Sequence, residues 1–356
     1  MKILITGICG FVGSTIARAL HEDGQNNQIF GIDNFSRSGS WLNKEKLSRQ
    51  GIRVYHGDIR HVSDLDSLPK VDWVIDAAAN PSVLAGVDGR TSSLQLVQNN
   101  LYGTVNLLEF CRRCEAGFTL ISTSRVYSIP PLANLRVLEG DRAFYPDPQQ
   151  DFPFGITPQG VDENYSTSPP VSLYGSTKVA SEHLALEYGA TFGFPVWINR
   201  CGVMAGAGQF GHPAQGIFAF WIHSFREQRH LKYIGFGGNG HQVRDCLHPR
   251  DLLSLMKQQF AEPLATDKPR ILNVSGGLPN SMSLRQLSDW CEARFAPNSV
   301  VETDLERPFD IPWMVLNSSR AEAIWQWQPQ ISLPTVLEEI AQFAEQNSDW
   351  LNISAM

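Results

Sequence analysis

Met1-Lys2-Ile3-Leu4-Ile5-Thr6-Gly7-Ile8-Cys9-Gly10-Phe11-Val12-Gly13-Ser14 opens the chain with a run of strand character, a glycine turn and the start of a helical pattern. The turn has the spacing G-x-x-G-x-x-G, with Phe11 and Val12 between its last two glycines. Gly7, Gly10 and Gly13 allow a tight bend and close backbone approach, so that the N–H groups of the following helix can face a pyrophosphate. Glycine turns are common; lodging between a strand and a helix is what makes this one a dinucleotide fingerprint. Asp33 ends the next apolar run. A carboxylate at that point accepts hydrogen bonds from the adenosine ribose and repels a 2′-phosphate, so NAD is expected over NADP even with Arg37 close by.

Working outward, strand-like runs at 29–33, 52–55, 73–76, 119–122 and 196–199 alternate with helical periodicity at 14–22, 100–114 and 174–189. That alternation predicts an α/β, Rossmann-type doubly wound parallel sheet, covered by helices on both faces through right-handed crossovers. A chain of 356 residues is long enough for two domains. Residues 1–198 are expected to form the NAD-binding domain. Residues 199–356 are expected to form mainly a smaller mixed α/β substrate domain, interleaved with the first near 233–260. The latter part has an aromatic-rich stretch at 217–225 and helices at 284–294 and 333–346. The stretch 128–171 is rich in Pro, Asp, Gln and Gly, has weak periodicity, and reads as a long loop excursion of the kind that serves as a lid.

Hydrophobic residues make up 42% and charged residues 18%, as in ordinary globular proteins. The formal net charge of −7 argues against nucleic-acid or anionic-membrane partners, and an anionic substrate would need a local basic pocket. The first residues run straight into a strand rather than a leader, and no apolar run reaches the ~18 residues of a membrane span. Cys111 and Cys114 form a C-x-x-C, but no second pair has ligand spacing. A reduced, structural role is expected for them, with no metal and a cytoplasmic location.

Tyr174 and Lys178 stand one helical turn apart, hence on one face. A free phenol has a pKa of about 10. Lys178 and an oxidised nicotinamide nearby are expected to lower that of Tyr174, making it a general acid/base for a sugar hydroxyl. Thr123, at the end of the strand at 119–122, lies at the carboxyl edge of the sheet where open α/β folds bind ligands, and can hold the reacting oxygen. After the third and fourth strands come Asp58, placed for the adenine edge, and Ala77-Ala78-Ala79, small enough for the backbone to pass close to the cofactor.

In these features the chain resembles the extended short-chain dehydrogenases/reductases that process nucleotide sugars. Thr123 precedes Val126-Tyr127 as that family's catalytic Ser or Thr does, and Asn100-Leu101-Tyr102-Gly103-Thr104-Val105-Asn106-Leu107-Leu108-Glu109 matches its N-x-x-G-T-x-N-L-L-E helix. The resemblance implies held NAD, a Lys178 that also binds the nicotinamide ribose, and a homodimer built on helices. It adds Asn34, Ile59 and Asn100 to the cofactor contacts and Ser124 to Thr123 on the substrate side. Gly240-His241-Gln242-Val243-Arg244-Asp245 and Arg307-Pro308-Phe309-Asp310 are similar to its substrate segments, implying that Arg244 and Arg307 clamp the substrate diphosphate. Gly208-Gln209-Phe210, Gln215-Gly216, Asn280-Ser281-Met282-Ser283-Leu284 and the long gap from Thr123 to Tyr174 resemble the CDP-tyvelose (CDP-paratose) 2-epimerases. Gln215 thereby joins the substrate contacts. Ser128 replaces the glycine usual after Val-Tyr, and Val203 and Ala205 depart from most relatives at positions expected to touch the sugar pocket.

The reaction so implied is inversion of carbon 2 of a CDP-deoxyhexose, oxidised transiently to a ketone and reduced again. A UDP-hexose or UDP-uronate 4-epimerase would use the same machinery. A 4,6-dehydratase would carry Asp-Glu after the Thr, where Ser124-Arg125 stand. A net reductase would need stoichiometric reduced cofactor. A non-catalytic NAD-binding regulator would need only the glycine end.

Overall fold

The computed structural model describes residues 1–87, 89, 91–212 and 215–355. Seven parallel strands form the central sheet: β1 Lys2–Thr6, β2 Gln28–Asp33, β3 Arg53–His56, β4 Trp73–Asp76, β5 Gly117–Thr123, β6 Val196–Cys201 and β7 Ile271–Val274. Their order across the sheet is β7-β6-β5-β4-β1-β2-β3, with every neighbouring pair parallel. Because side chains alternate across a strand, Ile3 and Ile5 enter one apolar layer and Leu4 the other. Each is fully buried, and covering a side chain of this size stabilises the fold by about 2 kcal/mol. Layers on both faces explain why β1, β4 and β6 are nearly continuous apolar runs.

The first helix begins at Phe11, earlier than its periodicity suggests, because the extended Gly10 caps it directly after the turn. The expected helix at 100–114 is Gly103–Cys114, preceded by a wider π-helical turn, Gln98–Tyr102. Its Cys111 and Cys114 are free thiols buried against the sheet in the layer with Phe118 and Leu120. Among the described residues no helix is long and apolar enough to cross a membrane.

The structure corrects the reading of 128–171 as a loop. It folds as a short helix, Ile129–Ala133, and two antiparallel hairpins, Val137–Gly140 with Ala143–Pro146 and Ile156–Thr157 with Gly160–Val161. Leu132, Ile156, Val161 and Tyr165 share an apolar cluster with Val243, Trp313 and Leu316. Backbone bonds from Val161 N–H to Val315 O (2.8 Å) and from Phe144 N–H to His241 O (2.9 Å) fasten the segment to the second half of the chain. Its anchors come one per short element, so they leave no period, and its partners lie far away in sequence.

The second lobe is built on Val243–Leu247, which pairs with Val203–Met204, Ser281–Ser283 and Trp313–Met314. Helices Ile217–Arg226, Leu284–Arg294 and Leu333–Gln346 cover it. A capping box of Ser283 and Gln286 starts the second of these helices. The chain returns to the first lobe further than the expected 233–260. Leu252, Leu255 and Met256 pack into its core, and β7 extends its sheet.

One buried ion pair joins the sheet to the long helix Ser172–Phe192. Glu182, fully buried, meets Arg200 of β6 at 2.6 Å and accepts the Ser122 hydroxyl of β5. Arg200 also donates to the Tyr127 hydroxyl (3.3 Å), which donates to Asn273 of β7 (2.7 Å). Removing one partner strands a charge in the interior. Arg200→Met is expected to cost about 3–5 kcal/mol, and Glu182→Gln added to it to recover much of the loss. Urea unfolding of both variants measures this; an unchanged Arg200→Met would contradict it.

Candidate active site

A cleft of about 760 Å³ runs along the carboxyl ends of the strands and on into the second lobe. At one end lies the glycine turn. Gly7 has φ +59°, and a Cβ on it would sit 3.0 Å from the Ala78 Cα. A Cβ on Gly13 would come within 2.3 Å of the Gly7 carbonyl oxygen, so turn and helix close together only without side chains. Asp33 is pinned at the same place, accepting the N–H groups of Cys9 (2.9 Å) and Phe35 (2.8 Å). Burial raises its pKa, with the backbone N–H groups opposing. Burial also pushes the Asp58 carboxyl up, but hydrogen bonds from Arg60 and Asn34 outweigh this and hold it well below the usual carboxylate range. Asp58 bonds Arg60 at 2.7 Å and Asn34 at 2.9 Å. The expected cofactor residues Gly7, Gly10, Phe11, Val12, Gly13, Asp33, Asn34, Asp58, Ile59 and Ala77 to Ala79 all line this part of the cleft.

Asn100 lies behind this wall, against Asn80, which does line it. Its buried side chain accepts the Asn80 N–H (2.8 Å) and donates to the Asn80 carbonyl (3.0 Å) and to Thr177 (3.3 Å). It thereby satisfies the backbone groups of Asn80, which lines the cleft.

At the middle, Thr123 ends β5, Tyr174 lies in the first turn of the long helix, and Lys178 lies a turn further on. All three line the cleft with Ser124. Burial pushes the Tyr174 phenol up to about 12, while a hydrogen bond with the Thr123 side chain and the charge of Arg125 pull it down. Lys178, which sequence reasoning expected to act on the phenol, lines the same part of the cleft. Burial lowers the Lys178 pKa, opposed by Asp76, Glu182 and Cys201. Asp76 itself accepts the hydroxyls of Thr6 (2.7 Å) and Thr104 (2.9 Å).

The far end is basic, as an anionic substrate requires. Arg244 and Arg307 line it with Gln215 and Asp310, and Asp310 holds Arg244 at 2.9 Å. Val203 reaches the cleft, whereas Ala205 is buried in the core of the second lobe, away from the position expected for it. Sequence reasoning gave no role to Asp310 or Arg125; the latter follows Thr123 at the strand end, and that adjacency was the available signal. Among the described residues no group of three or more His, Cys, Asp or Glu is placed to hold a metal ion. The glycine cradle with no room for a Cβ, the acceptor Asp33 and the small Ala77 to Ala79 wall fit a dinucleotide.

Residues 3–275 match the model of the NAD dependent epimerase/dehydratase family. The chain belongs to this family. Its cofactor is accordingly NAD, and its enzymes are sugar-nucleotide epimerases and dehydratases. The CDP-paratose 2-epimerase of Salmonella typhi is 30% identical over 93% of this chain and 96% of that protein. The UDP-glucuronate 4-epimerase of Thermodesulfobacterium geofontis is 24% identical over 97% and 96%. In fold, the chain is similar to a dTDP-glucose 4,6-dehydratase of Streptomyces venezuelae solved with NAD, with a TM-score of 0.78, 22% identity and coverage of 99% and 100%. Gly13→Val in this family member is expected to weaken NAD binding by about tenfold to a hundredfold, the equivalent of 1–3 kcal/mol of overpacking. Calorimetric titration with NAD checks it, and affinity equal to the parent would refute the tight cradle.

Proposed function

We propose that this enzyme inverts carbon 2 of a CDP-deoxyhexose of the CDP-paratose/CDP-tyvelose type, using Thr123, Tyr174 and Lys178. The observation that carries the reading is that Thr123, Tyr174 and Lys178 line one cleft together with the glycine cradle and with Arg244 and Arg307. The greater identity to a CDP-paratose 2-epimerase than to a UDP-glucuronate 4-epimerase supports the substrate. Ser124-Arg125 in place of Asp-Glu speaks against dehydration, which needs acid and base groups there.

Bound NAD supplies a reversible acceptor for the hydrogen and electron pair of the reacting carbon. Tyr174, as phenolate, removes the proton from the hydroxyl oxygen on that carbon, and Thr123 fixes this oxygen through its own hydroxyl. Arg244 and Arg307 keep the diphosphate anchored while the ketone ring turns its other face. Tyr174 then returns the proton to the new hydroxyl, so no net oxidation occurs. Lys178 serves the nicotinamide ribose, Gln215 and Ser124 the substrate, and the glycine turn with Asp33 and Asp58 the adenosine diphosphate.

A UDP-hexose or UDP-uronate 4-epimerase is the second reading, favoured by near full-length similarity to UDP-glucuronate 4-epimerases. The proposal further takes residues 1–198 and 199–356 as mainly cofactor and substrate domains. It also includes a cytoplasmic location, consistent with six buried free thiols, and a homodimer. Leu94, Val97 and Tyr102, exposed beside the Gly103–Cys114 helix, are the apolar face suited to that contact.

Incubation with a panel of CDP- and UDP-sugars, read by NMR of the products, is expected to show interconversion at carbon 2 of a CDP-deoxyhexose. Conversion only at carbon 4 of a UDP-sugar would establish the second reading instead. Tyr174→Phe is expected to lower turnover by about 10²–10⁴-fold. Substantial activity in that variant would remove Tyr174 from the reaction. Since the phenolate is the working base and burial raises the phenol, kcat/KM should rise with pH on the acid side of its optimum. Leu94→Glu should shift the sedimentation coefficient from dimer to monomer; an unchanged value would move the interface elsewhere.

A further inference from the structure

The short helix Trp350–Ala355 is fastened to the stretch that follows Val203–Met204 in the second lobe. Trp350 donates from Nε1 to the Gln209 carbonyl at 2.7 Å, and the Ser354 hydroxyl donates to the Gly211 carbonyl at 3.1 Å. Between these two bonds the Phe210 ring stacks on the Trp350 ring, with centroids 5.3 Å apart and planes at 16°. Phe343 of the Leu333–Gln346 helix stands edge-on to Trp350 at 5.0 Å. Trp350, Phe210 and Phe11 form one buried apolar cluster. The helix that starts at the glycine turn, the second lobe and the Trp350–Ala355 helix therefore meet at one point.

Gln209 and Phe210 line the cleft, as does Arg37, four residues beyond Asp33. The Arg37 guanidinium lies over the Phe210 ring, 5.4 Å from its centroid. Gly39 lets the two lobes come this close: its φ is +82°, and a Cβ there would fall 3.1 Å from Phe210 Cε1 and 2.8 Å from Ile353 Cγ2. The Nη2 group of Arg37 is buried and meets no hydrogen-bond acceptor among the described residues. A buried donor without an acceptor is costly, and a guanidinium left open suits a ligand that brings phosphate oxygens. The NAD of this family is such a ligand. We propose that Trp350 is a positioning residue for the cofactor: through Phe210 it holds Arg37 ready to bond a phosphate of NAD.

A free arginine side chain has many rotamers, and ordering it on binding costs affinity. The Phe210 ring sets the guanidinium in advance, and the Trp350 stack with its bond to Gln209 sets the Phe210 ring. The inference concerns NAD alone and holds whichever sugar is the substrate.

The test uses the full chain loaded with labelled NAD and reads binding rather than turnover. ADP and adenosine are each titrated in to displace the label, and the ratio of the two displacing concentrations isolates the phosphates. A charge-assisted hydrogen bond contributes about tenfold to a hundredfold in affinity. Arg37→Met is therefore expected to cut the advantage of ADP over adenosine by about that factor. Trp350→Ala should cut it by about tenfold, and Trp350→Phe, which keeps a ring on Phe210, should restore most of it. In the Arg37→Met background Trp350→Ala should cause little further loss, since both changes act on one contact. Phe210→Leu carries the same expectations if Trp350→Ala does not fold. A Trp350 that merely supports the fold would weaken ADP and adenosine alike. An unchanged ratio in Trp350→Ala, or losses that add in the double variant, overturns the proposal.

Discussion

The Glu182–Arg200 ion pair is the constraint on which the site depends. Tyr174, Lys178 and Glu182 follow one another at intervals of one turn on the same side of the Ser172–Phe192 helix. Fixing Glu182 to Arg200 of β6 and to Ser122 of β5 therefore fixes where the phenol and the ammonium stand along the sheet edge. Ser122 is the residue before Thr123, so the same network sets the hydroxyl that meets the phenol. Taking two charges out of water is costly, and well-packed apolar residues would often be as stable. What the pair adds is registry. An apolar contact would tolerate sliding of the helix, whereas a fork of donors on one carboxylate does not.

From that anchor the cleft separates charge by function. Acidic Asp33 and Asp58 line the end with the glycine cradle, where ribose hydroxyls and an adenine are donors, and guanidinium groups line the far end. A protein with a net charge of −7 thus gathers Arg125, Arg244 and Arg307 along one cleft. The Asp310–Arg244 bond keeps that guanidinium in place without phosphate, and Gln242 holds the same carboxylate at 3.2 Å from the other side. The segment at 128–171 contributes at one remove. Its hairpin bonds the His241 backbone and packs Phe144 on the His241 ring, steadying the strand that carries Arg244.

Much of this was legible in the sequence because local pattern and global fold agree. The glycine turn, the buried strands and the helices at 284–294 and 333–346 each follow from a period or a cap that lies within a few residues. The cofactor and substrate residues named from motifs line one cleft, with Asn100 the exception. A matching motif says nothing of side-chain direction: the Asn100 amide turns to bond the Asn80 backbone. The hairpins of 128–171 were illegible for another reason. Their partners, Val315, His241 and Ser283, lie about a hundred residues or further away, and no local period encodes such a contact. Arg125 was seen only as a missing acid, since its neighbours come from the helix and the second lobe.

Reversibility sets the demand that the proposed epimerisation makes on its base. The base must be ionised to take a proton and neutral to give one back, so its pKa cannot be pulled arbitrarily low. A cation bonded directly to the phenolate would trap it. The Thr123 hydroxyl adds a contact that can turn from donor to acceptor as the phenol changes state. Lys178, whose charged form Asp76 and Glu182 favour, is the proposed partner of the ribose. A site built this way favours neither direction of transfer, which is what a reaction without net oxidation demands of its acid and base.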